Sequence, residues 1–171
     1  MEPQFHDPMI PHYTDRPLPV YRHLPFQNAH PFLDKGGHSY GEKLSPPDSF
    51  TLENWQHCGD YLYCIDLFNY GFWWEAHERL KQLCFAAGRD SEMGQFIQGL
   101  IQVAAALLKH FMQEEQGAAT LAELGLKNLQ QTTGTTLGIE ITALVTQVQS
   151  CLESREGKYP QIYLKKIGVG Y

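Results

Sequence analysis

Nine of the ten prolines in this 171-residue chain lie at or before Pro47. Each proline fixes its own backbone φ, removes one amide donor and disfavours helix in the residue before it. With Pro3, Pro8, Pro11, Pro17, Pro19, Pro25 and Pro31 recurring so closely, residues 1–50 cannot be regular helix. The segment is nevertheless rich in Phe5, Tyr13, Leu18, Val20, Tyr21, Leu24, Phe26, Phe32, Leu33 and Tyr40, more apolar bulk than a disordered tail carries. The reading is an arm in which Arg16 to Tyr40 runs extended across a helical body and buries those rings. Its five histidines, His6, His12, His23, His30 and His38, fit no compact ligand pattern and are expected at the surface. His38 is the exception, because Gly36-Gly37-His38-Ser39-Tyr40 could place it against the body near His77.

Past residue 50 the apolar residues recur at helical spacing. Ser49 or Thr51 can cap a first helix carrying Leu52, Trp55, Leu62, Ile65 and Phe68, and Asn69 and Gly71 suit its end. A second helix runs from about Phe72 to Ala87, and the Gly88-Arg89-Asp90-Ser91 loop caps a third through Asp90 or Ser91. Phe96, Leu100, Val103, Ala104, Leu107 and Phe111, widened by Ile97, Ile101 and Leu108, make that third helix apolar nearly all round, hence central. Gln116-Gly117 reads as the next break. A fourth helix then carries Ala118, Leu121, Ala122, Leu124 and Leu129. Thr132 to Thr136 reads as a linker without evident chemistry, and Ile141, Leu144, Val145, Val148 and Leu152 mark a fifth helix. The tail from Tyr159 to Leu164 is expected to dock in extended form, and Gly168 to Tyr171 to fray. The fold expected is all-α: a compact bundle of about five helices over residues 51–157, with the Pro-rich arm 1–50 packed on it and a tail at 158–171.

Charge and composition exclude several classes. The formal net charge is -6 and the basic residues form no stripe, so no nucleic-acid partner is expected. No apolar run is long enough to span a bilayer, and the start lacks the pattern of a signal peptide. Cys58, Cys64, Cys84 and Cys151 form no Cys-x-x-Cys pair and read as buried free thiols, which places the chain in a reducing cytoplasm. There is no Gly-rich phosphate loop, nucleophile elbow or repeat.

The chemistry concentrates between Phe68 and Lys81. Glu75 and Glu78 are three apart on a helix and His77 stands at the edge of the apolar arc. Adjacent carboxylates repel unless a proton or cation separates them, and an imidazole with oxygen ligands suits zinc, iron, nickel or manganese. The His-Glu-x-x-His template fails at Lys81, so a second histidine would have to be His110 or His38. On the other reading His77 hydrogen-bonds within the core and the glutamates face water. Gln95, Gln98, Gln102 and Lys109 line the third helix. They would pair with Asn69, Glu75, His77 and Glu78, with Gly99 allowing close approach, or else form a wet face. Cys84 is a further nucleophile candidate, seven residues from His77 on the same face.

Two segments carry a family resemblance: Phe68, Asn69, Gly71, Trp73, Glu75, Ala76, His77 and Glu78, then Gln98, Gly99, Leu100, Ile101, Gln102 and Ala104. Together they resemble the family catalogued as domain of unknown function 309, also labelled predicted metal-dependent hydrolases. The resemblance covers about Leu52 to Leu129, and Gln116-Gly117-Ala118 is similar to the family's next helix start. It implies a hydrolase with a divalent transition metal held by Glu75, His77 and Glu78. Glu78 would be the catalytic base, and Asn69, Gln98 and Gln102 would orient the ligands or an unknown small-molecule substrate. Two positions depart from it: Lys81 stands where the family has an acid, free to pair with a nearby carboxylate, and Cys84 where it has tryptophan. The alternative is a non-catalytic module, with a protein partner or a second copy of the chain, whose His/Glu/Gln network only fixes packing.

Overall fold

A computed structural model describes residues 9–154 and 156–166. The expectations for Phe5, His6, Pro3, Pro8 and the last residues Gly168 to Tyr171 lie outside them. After the arm and a single 3-10 turn at Trp55–His57 come α1 (Gly59–Asn69), α2 (Trp73–Ala87), α3 (Glu92–Phe111) and α4 (Glu115–Leu129). A two-stranded hairpin, β1 (Thr135–Thr136) and β2 (Ile139–Glu140), then leads into α5 (Ile141–Glu153). The chain is therefore an all-α bundle with five α-helices among the described residues, and α3 packs between α2 and α4. Trp73, Tyr61, Phe68, Phe96, Leu107 and Leu129 fill one core.

Local chemistry explains most boundaries. Ser49 and Thr51 do cap, but they cap a turn. The Thr51 amide donates to Asn54 Oδ1, the Asn54 amide to Thr51 Oγ1 and Asn54 Nδ2 to Ser49 Oγ. Cys58 is extended, so the first α-helix is delayed to Gly59. At its far end Gly71 takes φ +78, while the amides of Phe72 and Gly71 return to the carbonyls of Leu67 and Phe68, a Schellman closure. Ser91 Oγ accepts from the Gly94 amide and caps α3.

Two expected breaks move. Gln116-Gly117 lies inside α4; the chain turns earlier, at Gln113, whose φ is +64. Gly117 is helical and lies beneath the Lys109 side chain, whose Cδ would stand 3.0 Å from a Cβ placed there. The supposed linker is a hairpin whose turn residues Leu137 and Gly138 both have positive φ, at 49 and 77. A leucine is a poor choice for that backbone, and packing outweighs the preference. Leu137 is buried, its carbonyl accepts the Tyr61 hydroxyl at 2.7 Å, and a Cβ on Gly138 would overlap the Trp55 ring. The close approach expected at Gly99 is real, with α4 as the neighbour: a Cβ there would meet the Gly125 carbonyl oxygen at 2.9 Å.

The arm packs on the bundle, but not by burying all its rings. Tyr13, Leu18, Leu24 and Phe32 are partly buried, whereas Val20, Phe26, Leu33 and Tyr40 face solvent. Bends and turns at residues 20–21, 25–27, 31–33 and 38–40 break the run, and each of those four residues lies in one of them. The surface expectation fails for His23, which is 5% exposed, whereas His38, set apart as the exception, does lie against the body with its side chain 5% exposed. Residues 158–166 contain no helix or strand and are held by side-chain amides: Gln147 takes the main chain of Gln161, and Asn69 that of Ile162.

Candidate functional site

The Glu-x-His-Glu stretch forms the first two turns of α2 and splits between two environments. Glu75 points under the arm. It is 4% exposed; its Oε1 accepts the His23 amide at 2.8 Å and lies 3.0 Å from His38 Nε2. His38 Nδ1 in turn lies 2.9 Å from Ser39 Oγ, so with Nε2–H directed at the carboxyl the other ring nitrogen accepts the serine hydroxyl. His23 is fixed the same way, through Asn28 Oδ1 at 2.9 Å and an edge-on contact with Trp74. Of the two candidates for a second histidine, His110 and His38, it is His38 that reaches this stretch, and it meets Glu75 rather than His77.

His77 and Glu78 belong to a different cluster. His77 Nδ1 lies 3.3 Å from Glu78 Oε1 without the alignment of a hydrogen bond, and Lys81 Nζ approaches the same oxygen at 2.7 Å. Burial pushes the Glu78 carboxyl up, but His77 and Lys81 together outweigh it and hold the group below the usual carboxylate range. A carboxyl lowered on folding stabilises the fold above its unfolded value, and that contribution is lost as pH falls through the lower folded value. Lys81→Met is expected to move the Glu78 titration upward, followed by carbon-13 NMR of the side-chain carboxyl. An unmoved midpoint would remove Lys81 as a cause.

The remaining expected site residues serve the packing of other elements. Asn69 is fully buried and chelates the tail backbone, its Nδ2 donating to the Ile162 carbonyl at 2.8 Å and its Oδ1 accepting the Ile162 amide at 2.6 Å. Gln102 Oε1 accepts Asn128 Nδ2 at 2.7 Å and joins α3 to α4. Gln98 is half-buried on α3, and Gln95 donates to the Arg89 carbonyl. Among the described residues none of these glutamines bonds Asn69, Glu75, His77 or Glu78. His110 faces Glu115 at the α3–α4 junction. The Cys84 thiol donates to the Gly94 carbonyl, and burial pushes it up against the weaker opposing pull of Arg89, the reverse of an activated thiolate.

No three His, Cys, Asp or Glu side chains among the described residues come together as a metal site. Glu75, His77 and Glu78 separate into the His38–Glu75 and His77–Glu78 pairs, and Lys81 already neutralises the second. As arranged, they supply no single donor set for a resident metal.

Asp66 escaped the sequence reading. It is fully buried in α1 and accepts the amides of Tyr13 at 2.6 Å and Thr14 at 3.0 Å and the Thr14 hydroxyl at 2.7 Å, with His12 Nδ1 at 3.4 Å. The signal was available: an acid inside Cys64-Ile65-Asp66-Leu67-Phe68 sits on a helix with no wet face and must find donors elsewhere.

No helix among the described residues is long and apolar enough to cross a membrane. No curated protein matches the chain. Residues 61–121 match the family model described as "Domain of unknown function (DUF309)". The matched span contains Asp66, Asn69 and Glu75, while the segments those three hold lie outside it. Over its first helices, from α1 into α4, the chain resembles the DUF309 family.

Proposed function

We propose that the helical core is a non-catalytic module that receives extended polypeptide, and that in this chain its own arm and tail fill the receiving positions. One observation carries the reading. The buried side chains of Asp66, Asn69 and Glu75 each bind main-chain groups of a non-helical segment, at Tyr13 and Thr14, at Ile162 and at His23 respectively. A buried carboxyl or carboxamide that bonds backbone groups recognises non-helical main chain, to which the Thr14 hydroxyl on Asp66 and His38 on Glu75 add side-chain contacts. The same three positions would receive a partner's extended segment if the arm or tail were displaced. The hydrolytic reading has less behind it, since Lys81 already occupies the carboxyl of the His77–Glu78 pair. The four buried free cysteines suit a reducing compartment such as the cytoplasm.

Limited trypsin digestion tests the proposal. Glu75→Ala is expected to speed cleavage after Arg22 or Lys35 by roughly tenfold or more, the effect of losing about 1.4 kcal/mol of local stability. Asn69→Ala should do the same after Lys158, with the helical circular dichroism of both variants retained. Unchanged cleavage in both would show that these residues do not hold the arm and tail.

A further inference from the structure

Four side chains on one helix face hold one stretch of the arm. Asp60, Tyr63 and Asp66 of α1 and Tyr70 just past its end lie three, three and four residues apart, which is one face of a helix. Tyr70 donates its hydroxyl to the Ile10 carbonyl at 3.1 Å, and Tyr63 donates its own to the Pro17 carbonyl at 2.8 Å. Between them Asp66 takes Tyr13 and Thr14, and Asp60 takes Arg16. Residues 10–17 therefore run antiparallel to α1 along a polar stripe.

Two of these contacts depend on which residue the arm presents. The Thr14 hydroxyl donates to Asp66 Oδ2 at 2.7 Å while its oxygen accepts the Arg16 amide at 3.3 Å. Valine has nearly the same shape and can do neither. Arg16 meets the Asp60 carboxyl at 2.7 Å, and its guanidinium lies 5.4 Å from the centre of the Tyr63 ring. Gly59 leaves room for it, since a Cβ there would stand 3.2 Å from Arg16 Nη2. A planar group that stacks and pairs at once belongs to arginine and not to lysine. Asp15, between the two, is exposed and takes no part in these bonds.

We propose that this face of α1 reads sequence, and that the partner segment it would take in place of the arm is an extended peptide with serine or threonine followed two residues later by arginine. The inference rests on the receiving role proposed above and narrows it from non-helical chain in general to one chemical pattern. It also specifies what the site rejects. A phosphorylated threonine would set a second negative group against the Asp66 carboxyl, which is fully buried.

Fluorescence anisotropy of a labelled peptide of residues 9–19, titrated with the full chain, tests this. The chain used carries Thr14→Pro and Arg16→Met, so that its own arm has lost the Thr14 amide and hydroxyl and the Arg16 guanidinium. Saturable binding of the parent peptide is expected. Thr14→Val or Arg16→Met in the peptide should each weaken it roughly tenfold, the loss of one charge-assisted contact. Phosphothreonine at position 14 should bind more weakly still, and Asp15→Ala should bind like the parent. Asp60→Asn in the chain should erase the difference between the parent and Arg16→Met peptides. No saturable binding up to about 10 mM, a range that includes weak millimolar sites, would overturn the proposal, as would equal binding of all the peptides. Because the altered chain could lose its helices with its arm, its circular dichroism is read alongside and a second comparison uses the otherwise wild-type chain. There, hydrogen exchange of the Tyr13 and Thr14 amides should quicken roughly tenfold in Thr14→Val and stay unchanged in Asp15→Ala. Equal exchange in those two variants would also overturn it. If Glu75→Ala and Asn69→Ala still release arm and tail to trypsin, such a failure belongs to the sequence reading alone; unchanged cleavage in both removes the receiving role itself.

Discussion

Trp73→Ala is expected to cost about 3–5 kcal/mol of folding stability, and to lower the thermal midpoint by on the order of 10 °C in a chain of this size. Trp73 is 1% exposed at the start of α2. Its ring meets Phe111 at the end of α3, with centroids 5.8 Å apart, and Tyr159 of the tail at 4.7 Å. One side chain therefore joins two helices and the tail, and alanine would leave a cavity that rigid α2 and α3 could close only in part. Trp73→Phe should recover part of the loss because it keeps an aromatic face toward Tyr159. Urea unfolding followed by far-ultraviolet circular dichroism checks both. A Trp73→Ala variant within about 1 kcal/mol of wild type would mean that the site collapses freely.

Asp66→Ala should be the next most damaging change, at about 3 kcal/mol, because it strands buried donors in addition to deleting bonds. The amides of Tyr13 and Thr14 both end on this carboxyl. Asp66→Asn would fare little better, since its amide group would turn two donors toward one of those N–H groups. The loss should appear first in the arm. Hydrogen exchange of residues 9–24 is expected to rise sharply in Asp66→Ala while that of α3 changes little. Stability within about 0.5 kcal/mol of wild type, the usual range for an inconsequential surface change, would show that the arm is anchored elsewhere.

The helices were legible because each carries a long apolar period, and periodicity reports burial directly. Gln116-Gly117 misled because glycine was read by its backbone freedom alone, whereas here it serves as a small residue under the Lys109 chain. The hairpin was illegible. Its strands are two residues each, and Leu137 occupies its backbone region only because Tyr61 and Trp55 hold it there. At the site, helical spacing correctly placed Glu75, His77 and Glu78 on adjoining faces. Spacing cannot say what covers each face, and the arm supplied His23 and His38 to one of the three only. His38 was separated from the other histidines as one that Gly36 to Tyr40 could place against the body near His77, but no local pattern named Glu75 as its partner. Asp66 and Asn69 show the remaining limit: their partners lie 52 to 53 and 93 residues away along the chain.

Those separations also bear on how the chain folds. The α2–α3 and α3–α4 pairs join neighbours in sequence through short loops, so each can close early at little entropic cost. The Tyr13 hydroxyl accepts the Leu164 amide across 151 positions, and this bond can form only when nearly the whole molecule is in place. The helical hairpins should therefore assemble first, with the two ends docking last over α1 and being the first to come away. Strength in that final closure would slow opening of the ends without hastening the collapse of the helices.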